Sequence, residues 1–178
     1  FTVLSGVVAF VALGIHGANY LALKTEGDMN VRSRKVVSVG WFALVLVTIA
    51  SLAAVLYIRP QILDNYYYLP VGWLIPAGVV ASLVAIKFFN TNGNDKGAFL
   101  ASSVYLAMML GGAVYGLYPN VLPALDPAYS LTVHNAKAGA YGLSVGLIWW
   151  PIGILIALGY FTFLFRTFKG KVAVEEHH

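Results

Sequence analysis

The chain has 178 residues, of which 60% are hydrophobic, 10% are charged and none is cysteine. Because about a quarter of the residues of a soluble domain are charged, this composition excludes a soluble globular enzyme, and the lack of thiols removes the ligands of iron–sulfur, thiolate-zinc and c-type haem sites. The net charge of +4 comes from cations that lie between apolar runs rather than on one solvated face, so we predict no nucleic-acid partner.

Five apolar runs are long enough to form membrane helices, since about 20 apolar residues cross a bilayer core of about 30 Å. They cover residues 2–23, 36–58, 69–89, 98–118 and 136–165. The connections, at residues 26–35, 59–68, 90–97 and 119–135, are rich in Pro, Asn, Asp, Lys and Arg. Lipid cannot satisfy free backbone groups, so runs of this length must be helical. We therefore predict an all-α polytopic membrane helix bundle with five transmembrane helices, forming a single domain over residues 1–178.

The basic residues indicate how the chain crosses the membrane. Of the eleven, Arg59 and Lys137 lie on one side of the predicted bundle. The other nine lie on the opposite side and are Lys24, Arg32, Arg34, Lys35, Lys87, Lys96, Arg166, Lys169 and Lys171. By the positive-inside rule, this arrangement predicts an outside N-terminus and a cytoplasmic C-terminus.

The first span carries the most polar helix face. Its members are His16, Asn19, Tyr20, Lys24 and, just beyond the span, Glu26. Residues three or four apart share a face of a helix, and a polar face inside a membrane turns towards a partner helix or a wet cavity. Two interpretations stay open for this face: hydrogen bonding between helices, or a quinone, lipid or proton-path role.

The histidines do not form a haem-ligating pair. At 1.5 Å per residue, His16 lies about 20 Å below the outer end of its helix, whereas His134, beside Asn135 in the outer loop, precedes the fifth span. At these depths the two imidazoles cannot share one iron, so we predict no haem ligand and no metal site in this chain. His177 and His178 end the sequence and are either native residues or part of a purification tag.

All seven acidic residues lie outside the spans or at their ends. Carboxylates inside membrane helices mark ion and proton routes, so this distribution argues against an ion-coupled transporter working alone and against acid–base catalysis by paired carboxylates. The rival interpretation is a small membrane transporter or channel, with a helix break at Pro76 lining its pathway.

Glycine pairs four residues apart predict close helix packing; these are Gly112 with Gly116, and Gly142 with Gly146.

Two stretches resemble a known family. The first runs from Gly17 to Gly27 and reads GANYLALKTEG, with the basic residues Arg32 to Lys35 after it. The second runs from Ser130 to Ala136, reads SLTVHNA, and leads into a long last helix that ends in FRTFKGKV. Both are similar to subunit II of cytochrome bd-type terminal quinol oxidases, and the resemblance covers nearly the whole chain.

The resemblance implies that the chain corresponds to the last five of nine helices, either as a C-terminal portion or as part of a split subunit. It also implies an oxidase of the prokaryotic cytoplasmic membrane that oxidises quinol and reduces oxygen to water. In that family haems b and d belong to subunit I, and a small accessory subunit joins some assemblies. Subunit II carries no haem; it braces the complex, shapes proton access and, in some members, holds a structural quinone.

Overall fold

The structure, a computed structural model, describes residues 2–124, 126–168 and 170–171. His177 and His178 therefore lie outside the described residues. Within the described residues, five helices are long and apolar enough to cross a membrane, which confirms the predicted all-α polytopic bundle. These residues fall into two compact units, residues 2–117 with Lys171 and residues 118–170. The single domain over the whole chain stays a prediction.

The first unit begins with two long helices, α1 (Thr2–Lys24) and α2 (Gly27–Ile58). Only Thr25 and Glu26 separate them, because Gly27 has a φ of 62°, a left-handed conformation that glycine adopts without steric cost. The predicted connection over residues 26–35 is therefore largely helical. The basic residues of that stretch lie in the first turns of α2.

The predicted connection after α2 contains a short helix, α3 (Ile62–Tyr68), followed by a 3-10 turn at Pro70–Trp73. The third and fourth spans are α4 (Leu74–Thr91) and α5 (Asp95–Leu117). Pro76 is the third residue of α4, where the backbone N–H of a helix has no intrahelical partner, so α4 loses no hydrogen bond there. The break that the transporter or channel interpretation places at Pro76 does not occur within α4.

The core of the first unit lies where α1, α2, α4 and α5 meet. Leu44, Ile86 and Tyr105 are its largest members and are almost fully buried. On α1 the core includes the small side chains of Ala12 and Ala18. Lipid is as apolar as these side chains, so close packing and hydrogen bonds, rather than the hydrophobic effect, hold such helices together.

Close approaches of α5 to its neighbours depend on glycine. A Cβ added at Gly116 would collide with the side chain of Ile62 on α3, and one at Gly112 would lie 3.2 Å from Cγ2 of Ile75 on α4. The packing prediction for these two glycines is confirmed. The corresponding role of Gly142 and Gly146 stays a prediction.

The second unit contains a short hairpin and the last long helix. Strands β1 (Asn120–Leu122) and β2 (Leu131–Thr132) pair antiparallel, and α6 (Ala140–Thr167) follows. The helix begins four residues later than the predicted span. Its 28 residues extend about 42 Å, more than the bilayer core of about 30 Å, so α6 must tilt or leave the hydrocarbon region at one end.

Candidate functional site

The polar face of α1 contacts α5 through His16. Its Nδ1 lies 2.8 Å from Oγ of Ser102, and the Ser102 hydroxyl in turn donates to the carbonyl oxygen of Phe99 at 2.8 Å. Because that hydroxyl has one hydrogen to donate, the network assigns the imidazole proton to Nδ1, which donates to Ser102. The contact joins residues 86 positions apart in the sequence.

Phe99 extends this contact across the face. The His16 ring stacks on the Phe99 ring with centroids 4.9 Å apart and an interplanar angle of 26°. The Tyr20 ring lies 5.7 Å from the same phenyl ring. Since aromatic rings at these separations attract each other, Phe99 and Ser102 of α5 together form the partner surface for His16 and Tyr20.

Asn19, Lys24 and Glu26, the remaining predicted members of the face, lie elsewhere, and Tyr20 is only partly covered by Phe99. Asn19 is 1% exposed, and its Nδ2 donates to the carbonyl oxygen of Ile15 one turn earlier. Tyr20 remains 39% exposed. Lys24 is half-buried at the end of α1, and Glu26 is exposed in the short connection that follows. The face is therefore divided between the core, the α5 contact and the end of the helix.

The outer loop residues stabilise a turn within the second unit. Asn135 Oδ1 accepts a hydrogen bond from the backbone N–H of Thr132 at 2.7 Å, and its Nδ2 donates to the carbonyl oxygen of Ser130 at 2.9 Å. The backbone N–H of His134 donates to the Thr132 hydroxyl. The His134 side chain is exposed, and the side-chain hydrogen bonds of Asn135 fix the turn that follows β2.

A polar cluster around Asp95, at the start of α5, was not predicted from the sequence. The Arg34 Nε donates to Asp95 Oδ1 at 2.8 Å, and Asn30 and Lys171 both donate to Oδ2, at 3.0 and 3.1 Å. Arg34 also donates to the carbonyl oxygen of Gly93. The Asp95 side chain is only 8% exposed, so these donors replace the water that a carboxylate would otherwise need.

The Asp95 cluster ties three helix ends together. Asn30 of α2 bonds Asp95 at the start of α5 and also the carbonyl oxygen of Ala22 near the end of α1. One signal in the sequence pointed to the cluster: Asp95 is an acid in the connection that the sequence analysis assigns to the predicted basic side. The identity of its partners depends on tertiary packing, which spacing along the chain does not reveal.

A third polar contact lies in the middle of the spans. Thr48 of α2 donates to the carbonyl oxygen of Leu44, and its Oγ1 lies 2.7 Å from the Tyr105 hydroxyl of α5. Two turns earlier on α2, Trp41 Nε1 donates to the carbonyl oxygen of Leu83 on α4. Within residues 2–124, 126–168 and 170–171, no buried side-chain nitrogen or oxygen lacks a partner. Some of these groups bond their own helix, as Asn19 does, and others join two helices.

The His16 contact uses Nδ1 and one face of the ring. Histidines that bind iron commonly donate the other ring N–H in the same way, so this contact does not decide whether His16 is a haem ligand. The described part of the chain brings no group of three or more His, Cys, Asp or Glu side chains together, and the absence of a haem ligand stays a prediction.

Comparison with known proteins decides the family. The family model described as cytochrome bd terminal oxidase subunit II matches residues 1–168. The chain belongs to this family. The match covers both stretches on which the resemblance rested, except the last residues of the second, and the family assignment is confirmed.

Individual subunit II relatives agree with the family match. The chain is 28% identical to the cytochrome bd-I ubiquinol oxidase subunit 2 of Escherichia coli K12 over 99% of its length, and 28% identical to the cytochrome bd ubiquinol oxidase subunit 2 of Bacillus subtilis over 82%. It is 26% identical to a probable cytochrome oxidase subunit 2 of Haemophilus influenzae over 97%. These alignments cover 54%, 42% and 52% of the three relatives, so the chain spans about half the length of the curated relatives it matches.

Proposed function

We propose that this chain is a membrane subunit of a cytochrome bd-type quinol:oxygen oxidoreductase. In this proposal the chain itself carries no haem and assembles with a haem-bearing subunit I. The observation that carries the proposal is the match of residues 1–168 to the family of cytochrome bd terminal oxidase subunit II. Haems b and d are assigned to the partner, where quinol oxidation and oxygen reduction take place.

The role proposed for the chain is to brace the complex and to shape the proton and quinone environment of subunit I. The hydrogen bonds from His16 to Ser102 and between Thr48 and Tyr105 connect α5 with α1 and α2, and the Asp95 cluster joins the helix ends. Such internal bonds support a rigid scaffold, since polar contacts between membrane helices fix their packing. A structural quinone and a small accessory subunit belong to the proposed assembly, which lies in the prokaryotic cytoplasmic membrane.

The proposal is tested by deleting the gene segment that encodes this chain. Membranes of the deletion strain should lose quinol-driven oxygen consumption by the bd-type oxidase and should contain less of the haem-bearing subunit, and reintroducing the chain should restore both. Unchanged levels of the haem-bearing subunit and of oxygen consumption would contradict the proposal. Ion flux through liposomes that contain the chain alone would favour the transporter or channel instead.

A further inference from the structure

Lys87 places a positive charge inside a membrane-spanning helix. It lies on α4 four residues before the helix ends at Thr91, and it is half-buried. Its Nζ donates to the hydroxyl of Ser38 on α2 at 3.2 Å. The same ammonium group lies 4.9 Å from the centroid of the Phe42 ring and 5.5 Å from that of Trp41, so one hydroxyl and two aromatic rings surround it.

This charge is not neutralised by the described residues. Arg34 and Lys171 pair with Asp95, whereas Lys87 makes no ion pair within residues 2–124, 126–168 and 170–171. A cation near the hydrocarbon region is costly without an anion, and the attraction of aromatic rings is worth only about 1–2 kcal/mol. The Lys87 ammonium therefore has unused capacity for an anionic partner.

Lys35 of α2 provides a second cation, on the face of α2 that contacts Lys87 through Ser38. The 32 residues of α2 extend about 48 Å, more than a bilayer core of about 30 Å. All charged residues of α2 lie between Asp28 and Lys35, so we take these first turns as the part that projects. Lys35 is exposed in this projecting part. It precedes Ser38 by three residues and therefore lies on the same helix face. Ser38 is thus flanked by two cations, Lys35 at the membrane surface and Lys87 one turn deeper.

The same face continues into the membrane with exposed apolar side chains. Phe42 is four residues beyond Ser38 and is 63% exposed, and Leu46, four residues further, is 68% exposed. Polar groups at the surface end and apolar groups at the deeper end match the two parts of a phospholipid. A free phosphate ion would leave the apolar part of the face unused.

From this arrangement we propose that Lys35, Ser38 and Lys87 bind the phosphate group of an anionic phospholipid whose acyl chain lies along Phe42 and Leu46. The two ammonium groups and the hydroxyl are donors that a phosphate oxygen accepts, and basic sites between membrane helices are suited to anionic headgroups. The site needs only the membrane spans of this chain and does not depend on the proposed oxidase function.

The test measures lipids that stay bound to the purified native complex containing this chain. The complex is stripped in detergent, incubated with phosphatidylglycerol or phosphatidylcholine, and analysed by native mass spectrometry. We expect phosphatidylglycerol to be retained preferentially, and Lys87→Gln to lower that retention about fivefold, the effect of one lysine near an anionic surface. Lys87→Arg should keep the binding. Inorganic phosphate at millimolar concentration should not displace the lipid.

Matched controls separate this site from general charge effects. Lys96→Gln removes an exposed lysine beside the α4–α5 connection and should leave retention unchanged. Lys35→Gln removes an exposed side chain, so it tests the site even where Lys87→Gln fails to assemble. Equal retention of the two lipids, equal effects of Lys87→Gln and Lys96→Gln, no effect of Lys35→Gln, or displacement by inorganic phosphate would each overturn the proposal.

Discussion

At the scale of single residues, the Asp95 carboxylate accepts hydrogen bonds from Asn30, Arg34 and Lys171 and so holds these three side chains together. Removing one partner of a buried ion pair leaves the other charges uncompensated and costs about 3–5 kcal/mol. Arg34 is one-third exposed, so we expect Asp95→Asn to lower the free energy of unfolding by the smaller of these values, about 3 kcal/mol. The melting temperature in detergent is the measurement. Asp28→Asn, which removes an exposed acid in the first turn of α2, is the control, and equal melting temperatures of the two variants would contradict this role.

The His16 contact leads to a second prediction at the same scale. Ser102→Ala removes the acceptor of the imidazole proton, and hydrogen bonds between membrane helices contribute about 0.6–1.7 kcal/mol. We therefore expect this variant to be destabilised by about 1 kcal/mol in a thermal unfolding experiment. The neighbouring Ser103 donates only to Phe99 of its own helix, so Ser103→Ala should have almost no effect. Equal destabilisation by both changes would show that the bond between α1 and α5 contributes nothing.

At the scale of helices and their packing, the contact between the 3-10 turn and α5 requires glycine at position 72. A Cβ added there would collide with the ring of Tyr115, whose hydroxyl is held by the carbonyl oxygens of Asn65 and Leu69. Overpacking of this kind costs about 1–3 kcal/mol, so Gly72→Ala should lower the melting temperature of the protein. An added Cβ at Gly111 on α5 meets nothing within 4 Å, and Gly111→Ala should be tolerated. A Gly72→Ala variant as stable as Gly111→Ala would show that the turn is free to move away.

The sequence predicts the five long helices of the fold well. Five apolar runs of sufficient length require membrane helices, because lipid offers no partner for free backbone groups. The sequence predicts the membrane span of α2 but not that residues 27–35 extend the same helix. The charged first turns of α2 are stable as a helix since Asp95, 61 residues away, neutralises Arg34, and Gly27 permits the sharp reversal. The partner of His16 was equally hidden, because only packing brings α5 to α1.

At the scale of the whole molecule, the orientation in the membrane stays a prediction that cysteine labelling tests directly. The chain contains no cysteine, so a single introduced thiol reports one position. Gln61 and Asn92 are both exposed; Gln61 lies in the connection between α2 and α4, just before α3, and Asn92 directly follows α4. If the basic side is cytoplasmic, a membrane-impermeant maleimide should label Gln61→Cys in intact cells and Asn92→Cys only after the membrane is opened. The reverse pattern would contradict the orientation while leaving the fold and the family unchanged.

In the proposed function, the chain contributes structure to a bd-type oxidase whose haems belong to another subunit. The Soret absorbance of the tagged, purified chain, expressed once alone and once together with the haem-bearing subunit, tests this directly. We expect no Soret band for the chain alone, and co-purification of a haem-containing partner when both are present. A stoichiometric Soret band from the chain alone would contradict the proposed function.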